Sequence, residues 1–225
     1  NINSVANWMW PSIDSEDGYY LREAVNKLVS LSHTLGFSIN GGKDSLSMKV
    51  KNNTQEIKAP KTLTLSGYAT ISSKYKIVTP NLKGQNNMIL LVRLDNFRGG
   101  MLGSALSRIF PVNPKPIKWL QIYKFPKIWN ILQELITNNM IISGHDISDG
   151  GLITSLIEMS ISSNFGLDLK IKSEFDMDEY FFSEELGFVL EVSSLYYQDI
   201  ISKFRNEKIK VELLGITKEE REVFI

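Results

Sequence analysis

The chain passes, within residues 141–164, from a short apolar pair into Gly144-His145-Asp146-Ile147-Ser148-Asp149-Gly150-Gly151. Apolar positions then follow at Leu152, Leu156, Ile157, Met159 and Ile161. The later run has the spacing of one helix face and the earlier one the brevity of a strand. Paired glycines between them permit a tight strand-to-helix turn. A chain built around such a junction must lay helix against sheet, and the rest of the sequence repeats the alternation. Leu21, Ala24, Val25, Leu28, Leu31 and Leu35 mark a helix over 18–35, with Gly36 as its stop. Further helices are expected at 103–110, 126–138 and 196–206, and strands at 37–39, 62–71, 88–94, 166–171, 187–193 and 210–215. The pattern predicts the α/β (α+β) class. Residues 111–116 read as a proline-punctuated loop. Turn formers concentrate at 79–87, which places a domain boundary near residue 86 and gives domains 1–86 and 87–225.

Composition closes off several function classes. Lys and Arg total 25, as do Asp and Glu, so no global basic field would draw the chain onto nucleic acid or an anionic membrane. Any anion must be held locally. With no Cys there is no disulfide, thiolate metal site or cysteine nucleophile, which fits a reducing, cytoplasmic setting. No apolar run approaches the ~20 residues that span a bilayer. The chain opens at Asn1 inside a Trp/Met cluster with no signal-peptide pattern, which reads as a piece of a longer polypeptide.

Two constellations carry chemistry. The turn at 144–151 joins carboxylates, a hydroxyl and an imidazole to a helix N-terminus, where backbone N–H groups and the helix dipole favour anions. A carboxylate there supplies the hard oxygen that Mg²⁺ takes. Asp146 is the metal candidate and Ser148 the phosphate or nucleotide contact; alternatively, Ser148 or Asp149 simply caps the helix. His145 reads as a hydrogen-bonded structural residue, and His33 receives no function. The second constellation, Gly41-Gly42-Lys43-Asp44-Ser45-Leu46-Ser47-Met48, reads as a glycine turn with one cation, one carboxylate and two hydroxyls, and lacks P-loop spacing. It binds phosphate or is an ordinary turn with a solvated Lys43. Asn7-Trp8-Met9-Trp10 reads as packing, and Glu184 and Glu185 as a solvated turn, or Glu184 as an assistant to a metal.

Three segments together, Ser4-Val5-Ala6-Asn7-Trp8-Met9-Trp10-Pro11, residues 41–48 and residues 144–152, resemble the large, single-chain phosphoribosylformylglycinamidine synthase family. Weaker similarity at Lys58-Ala59-Pro60, Val78-Thr79-Pro80 and residues 182–187 extends the likeness over most of the chain. The resemblance implies the second half of that enzyme's synthetase region. Residues 1–86 would be the end of a ferredoxin-like half-domain, similar to the aminoimidazole ribonucleotide synthetase N-terminal domain. Residues 87–225 would be an α/β half-domain similar to its C-terminal domain.

The resemblance further implies a carbon–nitrogen ligase of purine biosynthesis. Such an enzyme converts formylglycinamide ribonucleotide, glutamine and ATP to formylglycinamidine ribonucleotide, glutamate, ADP and phosphate. It assigns Asp146 to Mg²⁺ and Ser148 to ATP or ADP in an auxiliary subsite. Gly42, Lys43 and Ser45 become nucleotide or substrate-binding positions, although in the shorter form of the enzyme an Asn metal ligand stands where Lys43 stands here. No catalytic residue is implied within the chain. The further metal ligands and catalytic His would lie upstream and the glutaminase Cys downstream, so partner segments of the same enzyme are expected. The turn Met101-Leu102-Gly103-Ser104 is one residue shorter than its family counterpart. The remaining readings are a noncatalytic scaffold, or another ATP-using enzyme of the superfamily such as a small-molecule kinase or selenophosphate synthetase.

Overall fold

The structure, a computed structural model, describes residues 2–71, 73–74, 76–94, 99–112, 115–116, 122–172 and 174–225. The chain divides into two compact units, Asn1–Ser72 and Ser73–Ile225.

The first unit is a βαβ arrangement with a hairpin and a third sheet strand appended. Strand β1 (Ile2–Met9) leads into helix α1 (Ser15–Leu35), and β2 (Phe37–Ser45) returns parallel to β1. The hairpin β3 (Lys49–Lys51) and β4 (Glu56–Lys58) follows, and β5 (Thr62–Tyr68) pairs antiparallel with β1, giving the order β2-β1-β5. Gly36 ends α1 in the left-handed conformation, φ 73°, and donates to the Ser32 carbonyl at 2.8 Å, as the glycine stop predicts. Trp10 is buried and its Nε1 donates to the Asp17 carbonyl at 2.7 Å, so this end of the tryptophan cluster is packing. The buried Asp17 carboxylate accepts from Lys58 Nζ at 2.6 Å and faces Lys61 Nζ at 3.0 Å.

The second unit is a six-stranded sheet between helices. Its strands are β6 (Met88–Arg93), β7 (Ile141–Asp146), β8 (Gly166–Leu169), β9 (Gly187–Val192), β10 (Lys210–Lys218) and β11 (Val223–Phe224), in the order β11-β8-β10-β6-β9-β7. All neighbours are antiparallel except β11 and β8. Strand side chains alternate between faces. Ile89, Leu91 and Val189 therefore meet α3 (Gly151–Ile161) and α4 (Met177–Phe182) in one core. Leu90, Val92, Leu190 and Val192 meet α2 (Phe125–Thr137) and α5 (Tyr197–Asn206) in the other.

The turn-rich stretch at 79–87, the expected boundary, runs with the second unit. Leu82 joins the α3 core, and Glu191, fully buried on β9, accepts from the Lys83 and Gly84 amides, Asn87 Nδ2 at 2.7 Å and Ser143 Oγ at 2.6 Å. The helix expected at 103–110 is a single 3-10 turn, Leu106–Arg108, because the preceding loop's amides bond elsewhere, as described below.

Candidate functional site

The acidic turn forms where β7 ends and α3 begins. Asp146 is the last residue of β7; Ile147, inserted into the core, donates its amide to the Gly187 carbonyl at 2.9 Å. Asp146, Ser148 and Asp149 are exposed around that buried anchor. Gly150 and Gly151 both take positive φ, 85° and 74°, a conformation that side chains strain. A Cβ on Gly151 would stand 2.5 Å from the Phe181 carbonyl oxygen, so glycine here serves close packing as well as the turn. Ser155 Oγ donates to the Asp146 carbonyl at 2.8 Å and fixes the backbone behind the carboxylate.

Helix α3 has Gly150 at its cap position, and the Gly151 amide donates to the Ser148 main-chain carbonyl at 3.0 Å, with no hydrogen bond from the helix to the Ser148 or Asp149 side chain among the described residues. Side-chain capping, the alternative for these two residues, is not the arrangement found among the described residues. The Gly150 amide instead donates to Glu184 Oε1 at 2.9 Å. His145 lies mostly buried between acidic groups, with Nδ1 2.7 Å from the Asp146 carbonyl and 3.3 Å from its carboxylate, and Nε2 3.0 Å from Glu158 Oε2. Its ring is held in place from both sides, which fits the structural reading. Among the described residues, no group of three His, Cys, Asp or Glu side chains is arranged to hold a metal. Asp146, whose side chain is 64 % exposed, would hold a hard cation only together with ligands from elsewhere, such as phosphate oxygens and water.

The second constellation differs from its expected form. Gly41, Gly42, Lys43, Asp44 and Ser45 are not a turn but the second half of β2, paired in parallel with Val5–Met9 after a register shift at Ser4/Val5. A Cβ on Gly42 would lie 2.1 Å from the Ala6 carbonyl oxygen. The glycine therefore lets two strands approach, which sequence spacing alone does not distinguish from a turn. Lys43 Nζ donates to Ser45 Oγ at 2.6 Å, and Trp8, Asn40, Gly42, Lys43 and Asp44 line an open concavity of about 470 Å³. The structure thus groups Asp146 with Ser148 in the second unit and Gly42, Lys43 and Ser45 in the first.

The glycine turn at 101–104 has most of its amides occupied. Met101 and Leu102 donate to the Lys115 carbonyl, Ser104 to the Met101 carbonyl, Gly100 to Glu185 Oε1 at 3.0 Å and Ala105 to Glu184 Oε1 at 2.7 Å. Few N–H groups remain there for phosphate. Glu184 and Glu185 are therefore not a solvated turn but acceptors for backbone amides. Partners distant in sequence gave that role no local signal.

The sequence comparisons agree with one another. Residues 1–70 match the FGAR-AT PurM_N-like domain, and residues 120–225 match the AIR synthase related protein, C-terminal domain. The chain is 34% identical over 219 residues to the probable phosphoribosylformylglycinamidine synthase, chloroplastic/mitochondrial, of Arabidopsis thaliana, covering 96% of this chain and 16% of that protein. It is 32% identical over 223 residues to the Homo sapiens phosphoribosylformylglycinamidine synthase, covering 97% and 17%.

Solved structures share the fold. T. maritima PurL complexed with FGAR superposes with a TM-score of 0.69 at 12% identity, over 99% of this chain and 36% of that one. E. coli HypE, a hydrogenase maturation protein, gives 0.68 at 14% identity, over 98% and 68%. Matched over nearly its whole length, yet spanning only 16–17% of the length of these curated relatives, the chain belongs as a segment to the phosphoribosylformylglycinamidine synthase family.

Proposed function

We propose that the chain supplies a Mg²⁺–nucleotide subsite to an enzyme that makes formylglycinamidine ribonucleotide from formylglycinamide ribonucleotide, glutamine and ATP in the cytoplasm. The observation that carries this reading is the turn after β7, which presents Asp146, Ser148 and Asp149 outward while leaving helix capping to another residue. The relatives' names support the overall activity, and structural neighbours are described as PurL complexed with ATP, ADP and FGAR.

Electrostatics favours a metal-bound phosphate over a free one. Asp146, Asp149, Glu158 and Glu184 bring four carboxylates to or beside the turn, a cluster that repels an uncompensated phosphate. A divalent cation held by the Asp146 carboxylate and by phosphate oxygens would reverse that repulsion. Ser148 Oγ would donate to a phosphate oxygen, and the Ser155–Asp146 bond holds the backbone from which the carboxylate projects. Gly42, Lys43 and Ser45 are a second proposed contact for nucleotide or substrate, with Lys43 as the cation facing phosphate. Completion of the reaction falls to the synthetase and glutaminase segments of the longer enzyme.

Calorimetry of the intact enzyme with Mg·ADP tests the reading. Asp146→Ala is expected to weaken the Mg²⁺-dependent binding about tenfold or more, with little change in Tm. A lowered Tm with unchanged nucleotide affinity would instead establish the turn as scaffold.

A further inference from the structure

We propose that Glu184 is a positioning residue, the remote cap of α3, whose one carboxylate oxygen fixes the Asp146–Ser148 turn and couples it to the glycine loop at 99–105. The inference rests on the nucleotide reading of that turn and names what holds it in shape.

A helix N-terminus exposes amides that need acceptors, commonly supplied by a Ser, Thr, Asp or Asn at the cap position. Here that position is Gly150, which has no side chain to offer, and its φ of 85° suits glycine best. Glu184 Oε1 supplies the acceptor from 34 residues away and at the same time accepts from Ala105, 79 residues away. A carboxylate so placed also complements the helix dipole. Delegating the cap to Glu184 keeps Ser148 and Asp149 out of it, and both stay exposed.

The arm that carries Glu184 is firmly set. Ser183, fully buried, donates through Oγ to the Gly100 carbonyl at 2.8 Å, and the buried Glu185 accepts from the Gly100 amide at 3.0 Å. Behind it, the Phe181 and Phe182 backbone closes on Gly151. Three consecutive residues, 183–185, thus grip the glycine loop at two points and bridge it to the turn at a third. A shift of the glycine loop is transmitted to the turn through one oxygen atom, because that atom serves both amides.

The experiment uses the intact enzyme carrying Glu184→Asp, which keeps the charge but shortens the reach, and Glu184→Gln, which keeps the reach and an acceptor oxygen. Amide hydrogen exchange at Ala105 and Gly150 and the Kd for Mg·ADP are the readouts. Glu184→Asp is expected to speed exchange at both amides together and to raise Kd about fivefold, the factor of one lost cap. Glu184→Gln is expected to restore the protection and most of the affinity. Unchanged Kd in Glu184→Asp, tighter binding in either variant, or exchange that rises at one amide alone would overturn the proposal. If the wild-type enzyme shows no Asp146-dependent Mg·ADP binding, the nucleotide reading fails, and coupled exchange at the two amides then decides the tether by itself.

Discussion

The two units solve the burial problem differently. In the second, the central strands β6 and β9 are covered on both faces, so Leu90 and Leu91, neighbours pointing opposite ways, are both fully buried. In the first, Ala6, Trp10, Pro11 and Leu28 are the buried apolar residues among those described, while Val25, Val29, Ile39 and Leu65 remain exposed. Burial of apolar surface is the main favourable term in folding. The second unit therefore draws its rigidity from packing, whereas the first leans on polar contacts such as Asp17 with Lys58 and Lys61. Of the two proposed contact regions, the one at Asp146 stands on the better-packed support.

The largest expected effect tests the polar anchor within the packed unit. Glu191→Ala removes the acceptor for two backbone amides and the Ser143 hydroxyl at a fully buried position, and should cost the second unit roughly 3–5 kcal/mol in denaturant unfolding. A loss of under about 1 kcal/mol would mean that the loop at 79–87 does not depend on it.

A smaller effect should appear in the first unit as a pH dependence. The hydrogen bond from Lys58, and then that from Lys61, hold the Asp17 carboxyl below its ordinary value of 3.8, and Asp17 in turn holds Lys58 above 10.5. The carboxylate's contribution is complete above pH 3.8 and fades as pH falls through the depressed folded value. The lysine's is complete below pH 10.5 and fades as pH rises through the elevated one. Thermal melts of the first unit should be flat between those limits, and Asp17→Asn should lower Tm by a few degrees and flatten both limbs. Limbs that persist in the variant would assign them to other groups.

The smallest effect belongs to the exposed hairpin, where Val50 faces Ile57 across the strands with 73% and 69% of their surfaces exposed. Val50→Thr should change stability by no more than about 0.5 kcal/mol. A larger loss in denaturant unfolding would show that the first unit depends on this hairpin more than its exposure indicates.

Regular elements with strong periodicity were legible beforehand. The glycine stop of α1 and the strands at β6 and β9 lie within a residue of expectation, because local spacing determines them, while α1 starts three residues earlier than expected. Strand β1 was hidden because Trp8, Met9 and Trp10 read equally well as a packing cluster. The end of β2 was hidden because Gly41 and Gly42 carry the signature of a turn, and only the partner strand reveals that Gly42 makes room for the Ala6 carbonyl. The acidic turn was legible as a strand-to-helix junction, and the fold added that Asp146 and Ser148 are exposed there.

By itself, then, the sequence determined the alternation of strand and helix, the absence of cysteine chemistry and of a long apolar span, and the family likeness carried by three short segments. Each follows from residues close together in the chain. Only the tertiary structure decided that α3 is capped from Glu184, that His145 sits between Asp146 and Glu158, and that the glycine pair at 41–42 is strand. The reason is physical: hydrogen bonds and close contacts join groups by distance in space, and an acceptor 34 residues from its donor leaves no periodicity to read.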